Sequence, residues 1–145
     1  MNCRSTLLRF TLCSVCVVNL FLGVVAFMSK QTILDVIHLM YQVPLNSLEE
    51  HTIYIVRMLG CYLIAIAVMP GIAARNPAEN RAIIVGNAIW LVLRGIQRIT
   101  YVERFHRDWG ISYGFLWAGV AVVFLIAILL LSLIPMRSKA TAAAV

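Results

Sequence analysis

The sequence predicts an all-α integral membrane protein, a single domain built as a bundle of four transmembrane helices with both termini in the cytoplasm. Three observations carry this. Apolar residues make up 62 % of the chain and charged residues only 12 %, against roughly a quarter charged in a soluble domain. The apolar residues gather into four runs, at 10–28, 53–73, 82–102 and 113–134, each close to the ~20 residues that cross the hydrocarbon core. The basic residues outside those runs divide unevenly between the two sides that four crossings create.

The first run follows Arg4 and Arg9. A basic segment before an apolar stretch also describes a secretory signal peptide, but this stretch is long for one and its cleavage motif around Val24 and Ala26 is weak. A retained helix is expected. An outer loop at 29–52 comes next. Within it Ile33, Ile37, Met40 and Tyr41 recur at helical spacing, which predicts a short helix lying in the membrane interface. Val43-Pro44 ends it, because a residue before proline is pushed out of the α region.

Ser47-Leu48-Glu49-Glu50 reads as a capping box that starts the second long helix. Pro70-Gly71 is expected to kink or fray its far end. The cytoplasmic hairpin spans 74–81. Asn76-Pro77 with Glu79 supplies an N-cap, a proline at the first helical position and an early acid, so the third long helix is expected from Pro77 to about Arg104. A charged outer loop at 103–112 leads to the fourth run, which Pro135 closes. The tail at 136–145 is expected to be poorly ordered.

Orientation follows from the positive-inside rule. The terminal side holds Arg4, Arg9, Arg75, Arg81, Arg137 and Lys139, whereas the opposite side holds Lys30, Arg104 and Arg107 beside most of the acids. Tyr41, Tyr54, Tyr101, Trp109 and Tyr113 gather near the outer boundary, as interfacial aromatics do. Topology thus accounts for the net charge of +6, and no nucleic-acid partner is required. Cys13 and Cys16 form a C-x-x-C without the βαβ surroundings of a redox motif; buried apolar thiols are expected. His38, His51 and His106 all fall outside the spans, which is no ligand set for a metal or haem. No nucleotide-binding or hydrolase motif occurs, so the chain is expected to be a non-enzyme without a cofactor.

The sharpest feature is arginine inside the spans. Arg57 lies about one turn inside the second run, and Arg94 and Arg98 lie within the third. Such residues are costly in lipid and mark function by default. Arg94 and Arg98, four apart, share a helix face with Asn87, Trp90 or Leu91, and Tyr101. No acid lies in the hydrocarbon region; Glu50 and Glu103 at the outer boundary are the candidate ion-pair partners of Arg57 and Arg98. The first and fourth spans are expected to be largely lipid-compatible.

The segment from Arg57 to Arg98 resembles small bacterial four-helix membrane proteins of the BphX-like type. The likeness rests on Arg57-x-x-Gly60 opening a span, on Ala74-Arg75-Asn76-Pro77 with Asn80-Arg81 in the hairpin, and on an arginine in the next helix. It covers about a third of the chain. It implies a bacterial inner-membrane protein and transfers no activity.

The function expected from these residues is that of an accessory or assembly subunit. Its arginines would hold an anionic lipid head group, or an acidic residue of a larger membrane complex or of a second copy. The alternative from another class is a small transporter or channel for an organic anion, with Arg94 and Arg98 as the clamp.

Overall fold

The computed structural model describes residues 3–41 and 49–134. Among these it contains five helices and no strand: α1 (Cys3–Val25), α2 (Lys30–Tyr41), α3 (Glu50–Arg75), α4 (Arg81–Trp109) and α5 (Tyr113–Leu133). Four of them, all but α2, are long and apolar enough to cross a membrane.

The long helices pack as two pairs. α1 runs along α3 and α4 along α5, while α3 meets α4 over a much smaller area. The α1–α3 seam is built on small residues. The backbone carbonyls of Gly23 and Gly60 each come within 3.0 Å of where the other glycine's Cβ would sit, and Ala26 closes on Gly60. Where lipid supplies no hydrophobic drive between helices, such close backbone approach is what holds them. In the other pair the Phe124 ring lies on Gly95.

The two pairs join at one end. A buried cluster there takes Leu8 and Leu12 from α1, Ala73 and Ala74 from α3, Ile84, Ala88 and Leu91 from α4, and Ala127 and Leu130 from α5. These are the start of α1, the end of α3, the start of α4 and the end of α5, so successive long helices run antiparallel. Arg4 reinforces this near end by donating to the Ser132 carbonyl in the last turn of α5. At the far end the packing is thinner. Ile33 and Leu34 of α2 lie against Ile53 and Val56 of α3, and the Tyr41 ring meets Phe115 of α5 edge-on at 6.0 Å. α2 therefore reaches from one helix pair to the other.

Several helix limits differ from expectation. α1 stops at Val25, because 26–28 turn with hydrogen bonds three residues back, Phe27 to Val24 and Met28 to Val25. Ser29 then caps α2 by accepting from the Thr32 amide. α3 starts at Glu50; Ser47 of the expected capping box lies outside the described residues, as do Val43, Pro44 and the 136–145 tail. α3 continues through Pro70-Gly71 to Arg75. α4 starts at Arg81, four residues after Pro77. The Asn76 carbonyl accepts both the backbone and the side-chain amide of Asn80, which closes one isolated turn before the helix. The expected loop at 103–112 is mostly helix, since α4 runs on to Trp109. Gly110, at φ 67°, terminates it in the left-handed conformation with its amide on the His106 carbonyl, a conformation glycine adopts without a Cβ clash.

α1 carries a long exposed apolar face, with Phe10, Val17, Val18 and Phe21 outward. It is nevertheless the most enclosed of the four, with 39 % of its apolar window buried against 11 % for α3. Of the two thiols expected to be buried, Cys13 is exposed and Cys16 is half-buried, its Sγ facing Gly71; Cys61 is exposed as well.

Candidate functional site

Because the pairs close at one end and diverge toward the other, a cleft of about 510 Å³ opens between α3 and the α4–α5 pair. Its α3 wall is aliphatic but for Tyr62, with Leu59, Leu63 and Ile66 around that ring. Its α4 wall presents Trp90, Leu93, Arg94, Gln97 and Arg98, residues at the three- and four-residue spacing that defines one helical face. Tyr41, Phe105, Trp109 and Phe115 form the far end, where Phe105 and Trp109 pack edge-on at 5.6 Å.

Each guanidinium on the α4 wall has a distinct seat. The Arg94 head lies over the Trp90 ring, 5.2 Å from its centroid, which is within cation–π range. Arg98 reaches across to α5, where its Nη1 lies 2.5 Å from the position a Cβ would take at Gly119. Glycine there leaves room for the side chain. Both arginines are half-buried. The Arg107–Asp108 ion pair lies away from the cleft, no Asp or Glu lines the cleft, and among the described residues no carboxylate pairs with Arg94 or Arg98.

Of the residues singled out from sequence, the structure brings together Arg94, Arg98 and Trp90. Arg57 is exposed and forms no part of the cleft wall. The expected ion pairs do not form. Glu50 precedes Arg57 by about two turns, roughly 10 Å along the axis, and Glu103, five residues beyond Arg98, is rotated about 140° away from it. Tyr101 leaves the expected polar stripe: it is exposed and carries the Arg104 head at 5.8 Å. Asn87 is buried, and its side-chain amide donates to the Ile83 carbonyl at 2.9 Å, the habit of a polar residue satisfied within its own helix.

Gln97 was missed from sequence, although it follows Arg94 by three residues and so falls on the same face. Of the aromatic far end, Tyr41 and Trp109 were placed at the outer boundary from sequence, whereas Phe105, Phe115 and the convergence of all four were missed, since the rings come from α2, α4 and α5. His106 has a structural post: Nδ1 is 2.8 Å from the Ile111 carbonyl and the ring stacks on Tyr113 at 3.9 Å. No cluster of three or more metal-ligating side chains occurs among the described residues. No known protein family, characterised protein or solved structure matches the chain.

Proposed function

We propose that this chain is a four-helix bundle of the bacterial cytoplasmic membrane, with both ends inside and α2 in the outer interface. In this reading it is a non-enzymatic accessory or assembly protein, and its task is to hold an anionic group in the α3–α4 cleft. The supporting observation is the pair of half-buried guanidiniums, Arg94 and Arg98, on one wall with no carboxylate beside them. A central arginine costs about 2.5–3.5 kcal/mol on insertion scales, and stacking on an indole returns about 2 kcal/mol or more when desolvated, less when exposed. The remainder is offset once an anion binds. Guanidinium suits a phosphate or carboxylate because its planar fork donates to both oxygens at once. A lipid phosphate and an acidic residue of a partner subunit share that chemistry.

Purification in mild detergent followed by native mass spectrometry tests the reading. A bound anionic lipid or partner that is lost in Arg94→Leu is expected. The same variant should leave the empty protein as stable as the parent or more so, since a costly charge is gone. A bare monomer, with Arg94→Leu unchanged in every respect, would overturn it. The transporter reading draws on the cleft's volume, which leaves room for a small organic anion. It requires that Arg94→Cys be labelled by thiol reagents added from the outer, aqueous side.

A further inference from the structure

We infer that the cleft admits its ligand sideways from the bilayer, and that the ligand is a phosphate-bearing lipid whose head group meets Arg94, Gln97 and Arg98. This rests on the anion-holding reading above and specifies its ligand and route. The exposures of the lining residues are highest along the slot between α3 and α4. Leu59 and Tyr62 on α3 are 54 % and 61 % exposed, and Leu93 on α4 is 59 % exposed, with Gln97 also exposed. These four flank the slot between α3 and α4, on the outward surface of helices long and apolar enough to cross a membrane. The far end, which faces the aqueous side in this topology, is lined instead by aromatic rings; Trp109 and Phe115 are 38 % and 42 % exposed, less than Leu59, Tyr62 and Leu93 beside the slot, and Ile111 and Leu116 are buried behind them. α2 lies across it through the Tyr41–Phe115 contact.

The lining is divided to match such a ligand. Arg94 and Arg98 are charged and offer forked donors, and Gln97 adds a neutral amide at the mouth of the slot. A phosphate presents several acceptor oxygens to a donor set of this kind. The opposite wall is apolar in Leu59, Leu63 and Ile66, with the Tyr62 hydroxyl its one hydrogen-bonding side chain, and suits an acyl chain. A small water-borne anion would leave that wall unused. An acidic side chain of a partner helix would need a backbone to approach Arg94, whereas the slot is flanked by the bulky Tyr62 and Leu93 rather than by the small residues of close helix contacts.

The test uses the full chain in neutral detergent, titrated with dioleoyl phosphatidate and followed by native mass spectrometry. One lipid per chain is expected, and its apparent affinity should fall at least tenfold in Arg94→Leu. It should also fall in Gly119→Ala, which displaces the Arg98 head. Leu93→Trp, which narrows the slot without touching either arginine, should weaken lipid binding by a similar factor. Leu59→Trp narrows it from the opposite wall and serves if the first variant is poorly folded. Glycerol 3-phosphate at a hundredfold excess should leave the lipid bound. Displacement by glycerol 3-phosphate, or phosphatidate binding indifferent to both tryptophan variants, overturns lateral access while the anion-holding reading survives. A co-purifying polypeptide released by Arg94→Leu, with no lipid bound, overturns the lipid assignment alone. Binding of neither phosphate compound nor partner overturns both.

Discussion

Replacing Gly60 by alanine puts a methyl carbon 2.6 Å from the Ala26 Cβ and 3.0 Å from the Gly23 carbonyl oxygen. Neither neighbour is the loose end of a long side chain. The Phe27 ring, 3.1 Å away, can rotate aside, but the Cβ and the carbonyl move only if α1 and α3 separate. Overpacking of this kind costs about 1–3 kcal/mol. The same replacement at Gly86, where nothing lies within 4 Å of the added carbon, should instead gain up to about 1 kcal/mol from helix propensity. Gly60→Ala carries the same propensity gain, so the contrast between the two variants is the overpacking cost, about 1–3 kcal/mol, or roughly 5- to 160-fold in the unfolding equilibrium. It can be measured by reversible unfolding in mixed micelles of dodecyl sulfate and a neutral detergent, with far-ultraviolet circular dichroism as the signal. If Gly60→Ala is as stable as Gly86→Ala, the Gly23–Gly60 seam does not hold the α1–α3 pair and the packing argument fails.

Gly110→Ala forces a side chain into the left-handed region and should cost about 1–2 kcal/mol, seen as a lower thermal midpoint; an unchanged midpoint would mean that α4 ends some other way. Cys13 and Cys61, exposed on helices that we place in lipid, should resist a charged maleimide in sealed proteoliposomes and react after the protein is unfolded in dodecyl sulfate, whereas rapid labelling in the bilayer would place those faces in water. A fluorescent protein fused after Val145 should fold and a periplasmic phosphatase at the same point should stay inactive, because the positive-inside rule puts that end in the cytoplasm; the reverse pattern would invert the proposed topology. Arg57→Leu should leave phosphatidate binding within about twofold of the parent, since Arg57 lies outside the cleft, and a loss equal to that of Arg94→Leu would show that the cleft is drawn wrongly.

The long helices were legible because a run of apolar residues is a property of one segment, independent of what it packs against. Their limits were less so. At 76–80 the strong signals of Asn76 and Pro77 are spent on a single turn, and the weaker Asn80 marks the real start. At 103–109 a cluster of charges suggested a loop, yet Gly110 was the better stop signal, since only it has a backbone reason to end the helix. Within the site, Arg94, Arg98 and Trp90 could be grouped from sequence because one helix carries all three. Arg57 could not be placed, because depth in a span says nothing about which way a residue faces relative to other helices. The Leu59–Ile66 wall and the Tyr41–Phe115 contact lie between elements, where periodicity has no information to give.

The cleft follows from how unequally the helix pairs are bound. The Gly23–Gly60 approach draws the last turn of α1 onto α3, and Gly95 lets α4 and α5 close on Phe124. Between the pairs, the buried contacts common to all four helices sit almost wholly at the near end, around Leu12, Ala73, Ile84 and Leu130. Interfaces that strong on two sides and weak on the third leave the far half of α3 and α4 apart, and it is there that α4 carries its arginines. Gly119 has a complementary role: by leaving space on α5 it lets Arg98 lie back against that helix, so the slot stays open beside Arg94. The small residues of α1, α3 and α5 therefore bear on the site as directly as the arginines do. Enlarging Gly60 should disturb phosphatidate binding through the position of the α3 wall, whereas enlarging Gly119 should do so through Arg98 with little loss of stability, because the atom it meets is the free end of a long side chain. Measuring stability and binding together on these two variants separates the wall from the clamp.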